Sequence, residues 1–362
     1  MSDLLCKPQG RRNVDGANAA SGPASVKGSG RSSERCAVYE NVIEAIGNTP
    51  IVRINRIKPA GVDVNIYAKL EFTNPGGSVK DRIGYWMIEA AERDGRLKPG
   101  GTIIENTGGN TGLGLAMAAI VKGYKCIFTM PDKMSPAKIK NLQAMGAQVV
   151  VTPTAVAPDD PQSYYSVARR LATEIPNSLY IDQYNNPSNI EYHYLHTGPE
   201  VLRQFPEMDV FVAGIGTGGT VMGTGKYLKE QRPDVTVVAI DPVGSIIYDN
   251  YHHGETRRPF VPYLLEGIGK DVIPSIFDFA VLDDVVQVSD GDAFHMTRRL
   301  LAEEGIFAGV SSGAAIRGML DWIEANPDKS SGKSFLVILA DSGNRYIDKA
   351  YDDDWMREKG FL

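Results

Sequence analysis

At 362 residues, with 43% hydrophobic and 23% charged residues, the chain is long enough for two domains with separate cores and has the composition of an ordinary globular protein. A formal net charge of -6 argues against a nucleic-acid backbone as the main partner, and no apolar run approaches the ~20 residues of a membrane span. Cys6, Cys36 and Cys126 are too far apart for a disulfide framework and form no CxxC metal motif, so a reducing cytoplasmic setting is the simplest expectation.

Residues 1–38 are rich in Ser, Gly, Ala, Asn and Arg, with almost no large apolar residues after Leu5. Such a segment cannot bury enough surface to offset its ordering entropy, and it reads as a disordered arm. From Tyr39 onward strand-like and helix-like segments alternate. Asn65–Leu70 reads as a strand, and Arg82–Arg93 as a helix with Ile83, Trp86, Met87, Ala90 and Ala91 on one face. Strands over Thr102–Glu105, Lys125–Met130 and Gln148–Thr152 alternate with helices over Gly112–Lys122 and Ala137–Met145. Cys126 is expected to be a buried strand residue. Pro153–Pro161 and His252–Pro262 read as exposed loops. Strands over Val210–Ala213 and Val235–Ile240 flank a helix over Val221–Gln231, and Phe335–Leu339 is a strand followed by a helix. Alternation of this kind predicts an α/β fold with mostly parallel sheets covered by helices.

Four loops carry chemistry. In Asn74-Pro75-Gly76-Gly77-Ser78-Val79-Lys80-Asp81-Arg82 a lysine follows a glycine turn where strand gives way to helix. Taken alone, such a lysine is usually a solvated surface charge. The positive end of a helix dipole disfavours an ammonium, however, and so favours the neutral amine that attacks an aldehyde to form an imine. Thr107-Gly108-Gly109-Asn110-Thr111-Gly112 offers backbone and side-chain donors for a carboxylate. Gly214-Ile215-Gly216-Thr217-Gly218-Gly219-Thr220 follows a strand and opens a helix, an arrangement that suits a phosphate. On its own this loop leaves a dinucleotide site open, since Asp241 lies about 20 residues on. Gly309-Val310-Ser311-Ser312-Gly313-Ala314-Ala315 brings hydroxyls to a fourth helix start. His193 and His196 share a helical spacing but have no third ligand pattern beside them, so no metal is expected.

The order of Pro75-Gly76-Gly77-Ser78-Val79-Lys80-Asp81, then Thr-Gly-Gly-Asn-Thr-Gly, Gly-Thr-Gly-Gly-Thr and Gly-Val-Ser-Ser-Gly resembles the cysteine synthase and cystathionine β-synthase family, pyridoxal 5'-phosphate (PLP) enzymes of fold type II, from about Val38 to Leu362. The resemblance implies two open α/β domains with the cofactor in the cleft between them: 39–82 with 197–362 as a large PLP-binding domain, and 83–196 as a smaller substrate-loop domain. It implies that Lys80 carries PLP and acts as the base. Asn110 would meet the ring's phenolic oxygen, Gly216, Thr217, Gly218, Gly219 and Thr220 the phosphate, and Ser311 the pyridine nitrogen. Thr107, Gly108, Gly109, Asn110 and Thr111, with Gln183, would bind the substrate carboxylate.

The family pattern usually has Ser where this chain has Gly108, which leaves the substrate open. The amino-terminal arm has no histidine to pair with Cys36, so haem is not expected, and neither is a C-terminal nucleotide-sensing module. Asn186-Pro187-Ser188-Asn189, Thr197-Gly198-Pro199-Glu200 and Gly309-Val310-Ser311-Ser312-Gly313-Ala314-Ala315 resemble cysteine synthases. Lys133-Met134-Ser135, Asp241-Pro242-Val243-Gly244-Ser245-Ile246 and the Trp355–Leu362 end resemble cystathionine β-synthases. The expected activity is cysteine synthase, O-acetyl-L-serine and sulfide giving L-cysteine and acetate. A cystathionine β-synthase, a diaminopropionate-type synthase, a serine/threonine dehydratase and a catalytically silent binding homologue are the competing readings. Small-molecule substrates, no nucleic-acid or membrane partner, and a homodimer are what the family suggests.

Overall fold

A computed structural model describes residues 38–132, 134–157 and 159–362. The expected disordered arm, with Cys6 and Cys36, lies outside the described residues apart from Val38, as does Lys133 of the Lys133-Met134-Ser135 motif.

The strands are β1 (Ile51–Ile54), β2 (Asn65–Leu70), β3 (Thr102–Asn106), β4 (Lys125–Pro131), β5 (Gln148–Thr152), β6 (Ser178–Tyr180), β7 (Val210–Gly214), β8 (Thr236–Pro242), β9 (Asp284–Val288) and β10 (Ser334–Leu339). They form two sheets. One has the order β1-β2-β10-β7-β8-β9 and the other β5-β4-β3-β6. Among these strands of the described residues, β1 alone runs antiparallel to its neighbour and the other strand pairings are parallel. The helices that matter for the site are α1 (Lys80–Arg93), α2 (Asn110–Lys122), α3 (Pro136–Ala144), α4 (Tyr164–Glu174), α5 (Pro187–Tyr192), α6 (Gly198–Gln204), α7 (Gly219–Gln231), α8 (Ile247–His253), α9 (Asp290–Glu304) and α10 (Val310–Ala325). None of the helices among the described residues is long and apolar enough to cross a membrane.

The six-stranded sheet is buried on both faces, as parallel sheets covered by helices are. Val210 and Val212 of β7, with Phe335, Val337 and Leu339 of β10, face one core, where they meet Ile316, Met319 and Ile323 of α10. The alternate residues Phe211, Ala213, Leu336 and Ile338 face a second core with Val221 and Leu228 of α7. This two-residue alternation is the strand period, so the near-continuous apolar runs divide between two cores. Under the smaller sheet, Ile83, Met87 and Ile88 of α1 pack with Leu115 of α2 and Phe128 of β4. Cys126 lies there, buried as expected.

Two glycines set the approach of α1 to α2. A Cβ on Gly84 would lie 2.5 Å from the carbonyl carbon of Gly114, and one on Gly114 would lie 2.7 Å from the Lys80 carbonyl oxygen. The helix starts that carry Lys80 and Asn110 are therefore held backbone against backbone.

Two sequence expectations change. His252 and His253 are exposed as expected but belong to α8, which ends at left-handed Gly254, so the loop begins only there. Stacking on Tyr248 and Tyr251 and a contact from His252 Nε2 to the Val285 carbonyl account for the helical placement of His252. After β10 the chain does not enter a helix directly. It makes a short 3-10 turn at Gly343–Arg345 and returns along the cavity described next, before the helix Asp353–Glu358.

Candidate active site

The four loops read from the sequence each feed a helix start. Lys80 is the first residue of α1, Asn110 of α2 and Gly219 of α7, and Ser311 is the second residue of α10. The loops before α2 and α7 leave the carboxyl ends of β3 and β7, and the segment after β10 joins them. Ligands bind at this end in open α/β sheets.

The Lys80 turn is built locally. Gly77 sits at φ +81° and its N–H bonds the Asn74 carbonyl at 2.8 Å. The Gly76 N–H donates to Asp81 Oδ2 at 2.6 Å, closing the loop. The Val79 N–H bonds the Ala340 carbonyl at 2.8 Å, which ties the turn to the end of β10. Lys80 then lines two adjoining cavities. The smaller one also meets Asn110, Gly216, Thr217, Thr220 and Ser311. The larger, of about 700 Å³, meets Thr107, Gly108, Gly109, Asn110, Thr111 and Gln183. Gly218 lines the smaller cavity as well; Gly219 lines neither and instead packs on Asn189. Burial pushes the Lys80 amine down to about 8, against the opposing pull of the Asp341 carboxylate. The depression expected from the helix dipole thus has burial as its main cause.

The phosphate-type loop is held where only glycine fits. Gly218 has φ +86°, and a Cβ on Gly216 would lie 2.6 Å from the Gly267 carbonyl oxygen. Asn189 Nδ2 donates to Thr217 Oγ1 at 3.0 Å and to the Gln183 carbonyl at 2.8 Å, so one amide joins this loop to the Gln183 segment. His193 lies against Thr220 Oγ1 at 3.3 Å and Thr197 Oγ1 at 3.0 Å. It steadies a loop hydroxyl, which explains a histidine that the sequence left without a role. On the other side, Thr111 Oγ1 donates to Gln183 Oε1 at 2.7 Å, while Gln183 Nε2 donates to Glu105 Oε1 at 2.9 Å. Asp182, the residue before Gln183, takes a left-handed φ of +52°, an uncommon conformation for a non-glycine residue. Gly108 makes room for Met134: a Cβ there would lie 2.6 Å from Met134 Cε. A thioether therefore stands beside the loop position where the family pattern has a hydroxyl.

The residue that the sequence reading missed is Asp341. Its backbone carbonyl accepts from the Gly309 N–H at 2.9 Å, and it bridges to Ser78. Its Oδ2 accepts from Asn110 Nδ2 and from the Tyr346 hydroxyl, each at 2.8 Å. One residue thus touches the Lys80 turn, the Asn110 loop and the Ser311 helix entry. Burial raises the Asp341 carboxyl, and the bonds from Asn110 and Tyr346 oppose that rise. Its Oδ1 is buried without a hydrogen-bond partner, and the residue lines the smaller cavity. The available signal was position: Asp341 lies just past the carboxyl end of an apolar strand.

A lysine with a depressed pKa beside a glycine loop at a helix start, in a pocket also lined by Asp341, fits a phosphorylated aldehyde cofactor. One consequence concerns pH. The neutral amine is the attacking form, so attachment of PLP to the apoprotein should speed up as pH rises towards about 8 and level off above it. Stopped-flow absorbance of reconstitution measures this; a rate that keeps rising to the pH range of an ordinary lysine would show that the amine is not depressed.

Comparison with known proteins gives the same direction. Residues 42–341 match the family model described as pyridoxal-phosphate dependent enzyme. The chain is 47% identical over 327 residues to a cystathionine beta-synthase from Mus musculus, covering 90% of this chain but 57% of that protein. It is 42% identical over 313 residues to a cysteine synthase from Staphylococcus aureus, covering 85% of this chain and 95% of the other. A crystal structure of a hydrogen sulfide-producing enzyme from Fusobacterium nucleatum superposes with a TM-score of 0.77 at 36% identity, over 87% of this chain and 99% of that one.

Proposed function

The chain belongs to the pyridoxal-phosphate dependent enzyme family, in the group of the β-replacement enzymes, and on that premise we propose that it replaces the β-substituent of an L-serine derivative with a sulfur nucleophile. The simplest pair is O-acetyl-L-serine and sulfide, giving L-cysteine and acetate. The observation that carries this reading is the position of Lys80, whose side chain lines both the pocket with the glycine anion loop and the cavity with the Thr107–Thr111 loop.

When bound, PLP supplies an electron sink for negative charge at the substrate α-carbon. The protein's own groups do the rest. The Lys80 amine would anchor the cofactor and, when free, would take the α-proton at Nζ; an amine near 8 is well matched to that work. The backbone amides and hydroxyls from Thr107 to Thr111, with the Gln183 amide fixed by Glu105 and Thr111, hold the α-carboxylate. Gly216, Thr217, Gly218 and Thr220 would hold the phosphate, the Thr217 hydroxyl oriented by Asn189. The Asn110 amide, kept in place by Asp341, would meet the ring oxygen. Ser311 offers the ring nitrogen a hydroxyl, a weaker partner than a carboxylate, which favours loss of a β-substituent over transamination or racemisation.

A second reading has a specific observation behind it. The larger cavity, at about 700 Å³, is in the upper part of the range for small-molecule sites and has room for a second amino acid. Together with the 47% identity to a cystathionine beta-synthase, this supports L-homocysteine with L-serine as an alternative pair. A donor-by-acceptor panel decides between them: serine, O-acetylserine and O-phosphoserine against sulfide, homocysteine and ammonia, with products identified by mass. We expect cysteine from O-acetylserine and sulfide as the fastest reaction. Cystathionine as the fastest product would transfer the assignment to the second reading. Diaminopropionate from ammonia would point to an amine-using synthase, and pyruvate alone, whatever the acceptor, would mean a dehydratase.

A further inference from the structure

Several of the charged groups around the larger cavity are already satisfied. Lys138 of α3 and Lys349 both bind the Glu266 carboxylate, the latter at 2.6 Å. Burial works against that carboxylate, but the two ammonium groups outweigh it and hold it below the ordinary range. Arg345 donates to the Gly76 carbonyl at 2.6 Å. Apart from Lys80, the exception among the described cationic lining residues is Lys270; the Asp348 carboxylate also lines the cavity. Its side chain is 11% exposed and its ammonium lies 3.8 Å from the centroid of the Tyr184 ring. The nearest carboxylate is Asp271 at 3.7 Å, beyond hydrogen-bond reach. An ammonium has three donors, and a ring face accepts none of them as an anion would.

The fold holds Lys270 in this position. Its N–H donates to Ser245 Oγ at 3.0 Å and its carbonyl accepts from the Ile246 N–H at 3.0 Å. The preceding Gly269 has φ +78° and its N–H bonds the Ile215 carbonyl at 2.7 Å, next to the phosphate-type loop. Tyr184 follows Gln183 directly in sequence. Asp271 at 3.7 Å and the Tyr184 ring face compensate this largely desolvated cation only in part, and its donors are left for an incoming anion.

The donor's α-carboxylate is provided for by uncharged groups, so the charge of Lys270 is left for another part of the substrate. A β-replacement takes one substituent off the β-carbon and puts another on the same atom, so one region of the cavity serves both in turn. We propose that Lys270 forms an anion subsite for the β-substituent, taking a phosphate or carboxylate carried either by the leaving group of the serine derivative or by the incoming thiol. This proposal rests on the β-replacement reading.

The test uses PLP-loaded wild type, Lys270→Met and Lys270→Arg. In the donor arm, O-phospho-L-serine is compared with O-acetyl-L-serine at fixed sulfide. In the acceptor arm, 3-mercaptopropionate is compared with 2-aminoethanethiol at a fixed donor. In at least one arm Lys270→Met is expected to lower the ratio of kcat/KM for the anionic compound to that for its counterpart by roughly 10- to 100-fold, the size of one charged hydrogen bond. Lys270→Arg is expected to restore most of it, and the arm affected identifies the source of the anion. A ratio unchanged in both arms, or a wild type that turns over neither anionic compound while using the others, overturns the proposal and leaves the β-replacement reading standing. A wild-type cofactor band that no amino-acid donor perturbs overturns that reading and the subsite with it.

Discussion

Lys80→Ala is expected to lower turnover by at least about 10³-fold and to leave the purified protein without a covalently held cofactor. General-base catalysis alone is worth roughly 10²–10⁴-fold, and here the same amine is also the cofactor's anchor. The bland alternative, a solvated lysine at a helix start, predicts almost no change, so the two readings are far apart. The structure gives that alternative little support, since the Lys80 side chain lines both cavities and burial draws its pKa down to about 8. Lys80→Arg separates charge from chemistry. A guanidinium keeps the positive charge but cannot be deprotonated in a protein, so it can neither attack an aldehyde nor accept an α-proton. Both variants should lack the visible band of a lysine-linked cofactor, and borohydride reduction followed by peptide mass analysis should find PLP at position 80 in the wild type alone. A Lys80→Ala protein that folds and retains near-normal turnover would refute the assignment.

The parts of this site that the sequence revealed are those encoded within a few residues. A glycine turn before a lysine, a hydroxyl-rich loop at a helix start and a strand–glycine–helix passage are local patterns with local causes, and their elements appear close to the expected bounds. The parts it concealed are contacts between distant segments. Asn110 and Asp341 meet across 231 positions, and nothing around Asp341 announces the partner. Asn189 was noticed as part of a motif, but its bridge from Gln183 to Thr217 depends on how α5 packs on α7. Lys270 follows a Gly-Ile-Gly turn that reads as an ordinary loop; only the folded chain sets it over Tyr184. Local propensity can locate helix starts, but which ones share a cavity is decided by sheet order and by close approaches such as Gly84 on Gly114.

The largest stability effect is expected two residues beyond Lys80. Arg82→Met should destabilise the protein by about 3–5 kcal/mol, the usual result of stranding a buried charge, seen as a lower midpoint in chemical denaturation. Arg82, Glu71 and Lys69 are fully buried and Glu200 nearly so. Arg82 binds Glu71 through Nε at 2.6 Å and Nη2 at 2.8 Å, and Glu200 through Nη1 and Nη2, each at 2.9 Å. Lys69 Nζ approaches Glu200 Oε1 at 2.5 Å and donates to the Thr49 carbonyl at 2.9 Å. Two cations thus balance two carboxylates, and removing Arg82 leaves one negative charge in excess without solvent. Burial would raise both carboxyls, but Arg82 outweighs it, holding Glu71 below its usual range and Glu200 at about 2. Carboxyls depressed by folding contribute stability above their unfolded pKa, near 4.5, and lose it as pH falls through the folded value. The deficit of Arg82→Met should therefore be full at neutral pH and shrink in acid, where Glu71 can take up a proton. Pairing the change with Glu71→Gln should recover part of the loss, because an uncharged amide no longer needs a buried cation. Folded Arg82→Met protein should still carry PLP on Lys80. Loss of the cofactor band without loss of stability would mean that Arg82 serves the active site directly and that the cluster is not a structural one.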